Sequence, residues 1–434
     1  MTNNPYQLFH EGAQALARAT AYGLRVDTNY CRRAERKITR QIKLLEEQFS
    51  ETDIARAWKK KKKPNYDSNP QLAEILFKDL GYKSTKETSK GNKAVDEEAL
   101  KALNIPEVDI LLRIRKLKKL KSTYLGAFIR ETVDGFIHAN YPLNLVSSFR
   151  GSSDRPNLTN VPTRDKEALK ICRQAIVPRP RRRLVVIDYS AMEVKIIGCV
   201  SKDKNLIKYI KTPGSDPHRD IAAEIFKTED VTKELRYAGK NGFNFPTFYG
   251  DFYKHTAEML WKTAQIEKVK IPGIKTYNQF ERHIEQVEYR FKNEKFPGHT
   301  KWAKAHIAKY EQTGHIDLIT GFRCSGVMTK NQLLNLPIQG PAFHCLLWSL
   351  IQLDKWLRRK RMKTVICGHI HDAIIFDMDQ GELWAVVEKT KQVMCQDIRE
   401  HWPWIIVPLA VEGEWSAVDG NWAEMETMPE EAAF

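Results

Sequence analysis

The sequence predicts an α+β fold, and three observations carry that reading. Runs rich in β-branched residues at Leu184–Asp188 and Thr364–Phe376 are short enough to be buried strands. Long stretches of helical periodicity separate them, without the regular alternation that marks a doubly wound sheet. At 434 residues and 42% apolar composition, the chain can bury a substantial core split into two or three domains.

Residues 1–130 read as largely helical. Asn4-Pro5 starts a helix, with Pro at a first-turn position, and Gly23 stops it. A second helix starts near Asp27, where Tyr30, Ala34, Ile38, Ile42, Leu45 and Phe49 recur at three- and four-residue spacing. The Lys-rich stretches 59–70 and 83–96 are weakly patterned and read as loops. Arg113–Lys121 has apolar positions at Leu112, Leu117 and Leu120, which suggests a helix with one buried stripe and a basic outer face. Residues 130–200 alternate turns with strand-like runs, Ile137–Pro142 and Leu184–Asp188 among them. Residues 201–330 read as mostly helical, with long charged helices around 277–312, and 331–357 form another helix. Thr364–Phe376 reads as strand, turn and strand with His371-Asp372 at the tip. A helix over Glu382–His401 and a final strand over Ile405–Val411 complete the pattern.

The formal net charge of +16 argues for a polyanionic partner, because Lys and Arg contacts to phosphates release counterions. Basic residues crowd into Lys59–Lys63, Arg113–Lys121 and Pro178–Arg183, while Met425 to Phe434 is acidic. The first and third clusters fit either a nucleic-acid contact or solvated loop charge. The acidic end reads as frayed, or as a dock for a replication partner. No apolar run reaches the ~18 residues of a membrane span, and no signal pattern opens the chain, so a cytoplasmic location is expected. The seven cysteines include no C-x-x-C pair and read as reduced thiols rather than a zinc site.

Asp188 and Asp372 each end an apolar run. Two carboxylates brought side by side repel unless a divalent cation neutralises them, and oxygen-only ligands suit Mg²⁺. Between them in sequence lie Arg236 and Lys240, four residues apart and so on one face of a helix, where no nearby acid is expected. Carboxylates for metals with Arg and Lys for phosphates form the apparatus of phosphoryl transfer on a nucleotide.

These segments resemble the family A DNA polymerases. Asp188-Tyr189-Ser190-Ala191-Met192-Glu193 is similar to the first palm motif, Arg236 and Lys240 followed by Tyr249-Gly250 to the fingers motif, and His371-Asp372 to the second palm motif. Weaker words fall in the same order. Lys119–Tyr124 resembles the thumb, and Arg150–Ser153 with Pro156–Pro162 the primer–template segment. Asp216-Pro217-His218 and Asn335–Gly340 resemble segments after the first and before the second palm motif. The likeness runs from about residue 6 to about residue 422.

The resemblance implies a right-hand architecture: helical thumb (1–130), first part of an antiparallel-sheet palm (131–200), helical fingers (201–330) and second part of the palm (331–434). It implies two Mg²⁺ ions, replaceable by Mn²⁺, held by Asp188, Asp372 and the backbone carbonyl of Tyr189. Arg236, Lys240, Phe245, Tyr249, Glu193 and His218 would bind the nucleotide, with Lys240 also donating a proton to pyrophosphate. Glu193 would exclude a 2′-hydroxyl. Arg150, Asn335, Gln339, His371 and Arg323 would contact primer–template DNA, the first four in the minor groove near the growing end. The expected partners are DNA and deoxynucleoside triphosphates, and the chain is expected to act as a monomer. Because the thumb-like sequence begins almost at residue 1, polymerisation without proofreading is expected.

Two departures stand out. The second palm motif often carries Glu after its Asp, where this chain has Ala373. The fingers motif usually places an aromatic four residues after the Lys, where this chain has Asn244, with Phe245 one residue further and Tyr249-Gly250 likewise displaced by one. Gly242 and Pro246 weaken the helix there, so a one-residue bulge near 241–246 is expected to restore the facing. A single-subunit RNA polymerase is a competing reading, opposed by Glu193. A catalytically silent, polymerase-derived nucleic-acid-binding protein is another, opposed by Asp188, Asp372, Arg236 and Lys240 standing together.

Overall fold

The computed structural model describes residues 4–88, 91–162 and 165–429. Its first helix, Pro5–Tyr22, is capped by the Asn4 side chain, which accepts from the Gln7 N–H, and ends at Gly23 with φ +66°. Its buried face packs on the long helix Lys330–Arg359 so closely that a Cβ on Gly12 would meet Leu347 at 2.8 Å. Asp27 caps the second helix, Thr28–Ser50, which buries Cys31, Ile38, Ile42 and Phe49.

Phe49 opens a second, smaller core with Ile54, Trp58, Leu72, Leu76, Leu111 and Ile114, separate from the main one. The helix Pro106–Lys119 contributes Val108, Leu111, Ile114 and Leu117 to these cores. Leu112, expected in the buried stripe, is only half-buried, because the 3.6-residue period puts Leu111 in line with Val108 and Ile114. The basic face of this helix is largely paired within the chain. Arg113 meets Glu167, Lys116 meets Asp165 at 2.5 Å, and Lys118 meets Glu46 at 2.8 Å.

Strands β1 (Leu24–Arg25), β2 (Thr132–Val133) and β3 (Phe136–Ile137) form a small antiparallel sheet in the order β1-β3-β2. Strand β4 (Arg182–Tyr189) follows, then the hairpin β5 (His315–Asp317) and β6 (Arg323–Ser325). Strands β7 (Val365–Ile370), β8 (Ala373–Asp379), β9 (Val411–Trp415) and β10 (Glu426–Thr427) join β4 in a five-stranded antiparallel sheet, order β10-β9-β4-β8-β7. Between β4 and β7 the chain is mainly helical, from Met192–Ser201 through Pro297–Thr313 to Lys330–Arg359.

Several expected boundaries move. The β5–β6 hairpin interrupts the helical stretch 201–330. The strand expected over 137–142 ends at Ile137. Ile405, Val407 and Leu409 are buried on alternate positions, as a strand would be, but the regular ladder starts only at Val411. Pro408, within the segment, lacks the N–H donor that a ladder there would need. The acidic end is also less frayed than expected: Glu426 and Thr427 pair with β9, and Met428 is buried. Residues 430–434 lie outside the described residues.

The arginines of 178–183 turn out to be structural clamps. Arg179 pairs with the buried Asp377 of β8 at 2.7 Å, donates to the Tyr22 carbonyl at 2.6 Å, and stacks over Phe136. Arg182 donates to the Lys363 carbonyl and Arg183 to the Ser416 carbonyl. Arg179 thus ties the first helix, the small sheet and the main sheet together. Removing it strands a buried carboxylate, so Arg179→Ala should cost about 3 kcal/mol, read as a lowered denaturation midpoint. An unchanged midpoint would mean that the clamp contributes nothing.

Candidate active site

Asp188 lies near the end of β4, and strand alternation decides where it points. Its neighbours Ile187 and Tyr189 are buried, and the Tyr189 hydroxyl shares a hydrogen bond with Ser349 Oγ at 3.0 Å, so Asp188 faces outward. Asp372 arrives from the other side, in the two-residue turn between β7 and β8, where His371 adopts φ +52°. The register places Asp188 opposite Ala373 on β8 and opposite Glu412 on β9, and the Tyr189 N–H donates to the Asp372 carbonyl at 3.4 Å. The turn is held by a bulge in β7 at Gly368, whose φ is +150° and where any Cβ would collide with the Tyr141 hydroxyl.

The two carboxylates are in electrostatic tension. Asp188 reaches solvent but sits within enough protein that lost hydration, with Asp372 and Glu412 adding to it, pushes its carboxyl up to about 7. Asp372 Oδ1 is buried without a hydrogen-bond partner, and among the described residues neither aspartate forms a salt bridge. Orphaned carboxylate oxygen beside a second carboxylate fits a hard divalent cation. Among the described residues no three His, Cys, Asp or Glu side chains form a closed metal cage, so other ligands must come from backbone, substrate or water.

The helix Lys233–Ala238 runs into a π-helical turn, Gly239–Asn244, and then a short helix, Phe245–Phe248. The expected bulge is therefore present, as an extra residue accommodated by i→i+5 hydrogen bonds. Two glycines let it pack: a Cβ on Gly239 would lie 2.6 Å from the His218 carbonyl, and one on Gly242 would lie 2.8 Å from Met259. Beyond the turn, Phe245 and Tyr249 rings are near-parallel with centroids 6.0 Å apart, and Lys240 Nζ stands 5.6 Å from the Phe245 centroid. The expectation of no nearby acid is corrected for Arg236, whose Nε pairs with Asp216 Oδ2 at 2.6 Å. That partner comes from another helix and was hidden from any reading along one helix. The charge of Lys240 is felt at Asp188, Glu193 and His218 alike.

His218 is buried in the first turn of the helix Pro217–Phe226, and its ring meets Phe245 edge-on at 5.5 Å. Glu193 opens the helix Met192–Ser201, half-buried, and burial with Asp372 raises its carboxyl above the usual range. The Tyr249 hydroxyl lies beside Glu193 and Gln339 without a well-formed hydrogen bond to either. Gln339 Oε1 accepts from Arg150 Nη1 at 2.9 Å, and Asn335 lies one helical turn before Gln339. His371 is exposed beside Asp372. Arg323 is exposed on β6 and paired with Asp317 at 2.7 Å, so nothing in its contacts brings it to the carboxylates.

Three residues were missed at the sequence level: Glu412, Asp216 and Asn244. Only strand register reveals Glu412, although the alternation Val411-Glu412-Gly413-Glu414 signals a strand with outward acids. The cavities of 950 and 570 Å³ lie elsewhere, one beside the helix Pro106–Lys119 and one beside Pro5–Tyr22. The carboxylates line neither, which suits an open cleft for an extended ligand rather than a closed pocket.

Comparison with known proteins agrees with this arrangement. The family model described as DNA polymerase family A matches residues 28–424. The chain is 33% identical to a DNA polymerase I of Lactococcus lactis over 361 residues, covering 80% of this chain and 38% of that protein. It is 26% identical to the DNA polymerase of Bacillus phage SP01, over 76% of this chain and 37% of that one. The chain thus spans well under half the length of these curated relatives. A solved structure described as the POL domain of Pol1 from M. smegmatis, in complex with DNA primer-template and dNTP, shares the fold. Its TM-score is 0.78 at 24% identity, over 95% of this chain and 70% of that one. Because the family model covers residues 28–424, and with them Asp188, the helix bearing Arg236, and Asp372, the chain belongs to DNA polymerase family A.

Proposed function

We propose that this chain is a template-directed DNA polymerase that adds deoxynucleotides to a primer 3′-hydroxyl. The observation that carries the reading is the pair Asp188 and Asp372, brought together by the β4–β8 register at the end of the central strand, with the Lys240 charge felt at Asp188. The thumb would comprise residues 1–130, the palm 131–200 and 331–434, and the fingers 201–330. Asp188, Asp372 and the Tyr189 carbonyl would hold two divalent cations, Mg²⁺ or Mn²⁺. Bound there, the cations would supply Lewis-acid stabilisation for the oxygen charge that develops during phosphoryl transfer.

The chain's own side chains divide the remaining work. Arg236 and Lys240 neutralise the triphosphate, and Lys240 can supply a proton to the departing pyrophosphate. Asp216 holds the Arg236 guanidinium in place. Phe245 and Tyr249 offer aromatic surface to the base and sugar. Glu193 blocks the space beneath C2′, which favours deoxynucleotides and disfavours the RNA polymerase reading. Arg150 and Gln339, already paired, offer donors to the acceptors that every correct base pair shows in the minor groove, with Asn335 and His371 alongside. Arg323 would contact the DNA backbone only by releasing Asp317. Primer–template DNA and deoxynucleoside triphosphates are the proposed ligands, and the phage and bacterial relatives support a role in replication or repair in the cytoplasm. Primer extension with Mg²⁺, comparing deoxy- and ribonucleotides, tests the proposal as a whole.

Five substitutions probe its parts. Asp188→Asn or Asp372→Asn should lower extension by at least about a hundredfold, since charge stabilisation in the transition state is lost. DNA affinity should stay near wild type, because it rests on many phosphate contacts. Robust extension by either variant would remove the two-metal assignment.

Glu193→Ala should open the sugar pocket. The preference for deoxy- over ribonucleotide, measured as a ratio of kcat/KM values, should fall by at least about tenfold. An unchanged ratio would move the gate to Phe245 or Tyr249.

Lys240→Ala should weaken nucleotide use by roughly ten- to a hundredfold with little effect on primer–template binding. Tyr249→Ala should instead lower base-pair discrimination. Single-nucleotide kinetics at saturating DNA measure both, and normal incorporation by Lys240→Ala would reduce the Arg236–Lys240 face to a solvated surface.

A further inference from the structure

The π-turn does more than shift Phe245. It ends at Asn244, which is 1% exposed and turns its amide toward the start of the helix Pro217–Phe226. Asn244 Nδ2 lies 2.7 Å from the Pro217 carbonyl oxygen and 3.0 Å from His218 Nδ1. The carbonyl decides the amide's orientation, because an amide oxygen there would face carbonyl lone pairs. The two amide hydrogens then have two acceptors, the Pro217 oxygen and the ring nitrogen. A nitrogen that accepts carries no proton, so the His218 proton must sit on Nε2.

Nε2 is buried and has no hydrogen-bond partner. The buried His344 shows the contrast: Nδ1 bonds Thr320 Oγ1 at 2.7 Å and Nε2 accompanies the Phe149 carbonyl at 3.1 Å, so both ring nitrogens are satisfied. His218 has one nitrogen committed and one held in reserve, in a region where Arg236 and Lys240 gather positive charge. Burial, with these two cations adding to it, lowers its pKa to about 4, so the ring is neutral at physiological pH.

We propose that Asn244 is a positioning residue that fixes His218 as the neutral Nε2–H tautomer, keeping a directed, uncharged donor for a phosphate oxygen of the incoming nucleotide. The opposite tautomer would present a lone pair to that oxygen and repel it. Phe245 stands edge-on to the ring and shelters the donor from water until a nucleotide enters. The one-residue departure in the fingers segment thereby places an amide beside the histidine as well as an aromatic beside the lysine. The proposal rests on the nucleotide-transfer reading above.

The test has a spectroscopic and a kinetic arm. In ¹⁵N-labelled protein, with the His218 signals identified by their loss in His218→Gln, Nδ1 should resonate as an unprotonated ring nitrogen and Nε2 as a protonated one. The wild type alone decides this, and a protonated Nδ1 overturns the proposal. Asn244→Asp supplies only acceptors, so it should move the proton to Nδ1. In single-nucleotide kinetics Asn244→Asp should raise the nucleotide KM about tenfold with DNA affinity unchanged. In a His218→Gln background, which keeps a neutral donor, the same substitution should have little further effect on KM. An equal penalty in both backgrounds would mean that Asn244 merely braces the fold, and would overturn the proposal. If the wild type fails to extend primers while showing the expected tautomer, the function reading falls instead.

Discussion

Everything at this site follows from holding two carboxylates next to each other with no protein cation bridging them. The β4–β8 register places Asp188 opposite Ala373, one residue beyond Asp372, and Glu412 closes in from β9. Lost hydration at this position, with the charges of Asp372 and Glu412 adding to it, pushes the Asp188 carboxyl up to about 7. The fold sustains it through a rigid antiparallel sheet, buried on Leu184, Val185 and Ile187, and through a bulged strand that admits Tyr141 where a side chain would not fit. The cluster sits at the end of the central strand, where the sheet on either side holds it in place.

The π-turn Gly239–Asn244 meets a different constraint. An extra residue in a helix rotates everything beyond it by about 100°, which would swing Phe245 and Tyr249 away from Lys240. Widening one turn to i→i+5 hydrogen bonds restores the facing, and the near-parallel rings with Lys240 above one of them show the result. The glycines at 239 and 242 permit it by letting the widened backbone press against the His218 carbonyl and Met259.

Charge is used more economically than a net +16 suggests. The most basic helix face is tied to Glu46, Asp165 and Glu167, and the arginines of 178–183 bind carbonyls and Asp377. The cationic character that remains for a polyanion is therefore a matter of which groups stay unpaired around the cleft. Arg236 illustrates the same economy: Asp216 holds it in place and partly neutralises it.

Much of this protein was legible in the sequence because its chemistry sits in short, ordered words. Local capping signals marked the helices at Asn4 and Asp27, β-branched runs marked β4, β7 and β8, and the displaced Phe245 with Gly242 and Pro246 foretold the bulge. These depend on neighbours within a few residues, and local backbone physics suffices for them. The strand expected at 405–411 failed because alternating burial is not pairing, and Pro408 removes a donor that a ladder needs. Strand register put Glu412 beside Asp188, and helix packing gave Arg236 its acid and His218 its amide. These contacts join residues 20 or more positions apart, so no periodicity along the chain encodes them. Sequence alone singled out the residues to which a chemistry can be proposed; tertiary structure decided which of their charges are paired and which are buried, because pairing and burial exist only once distant segments have met.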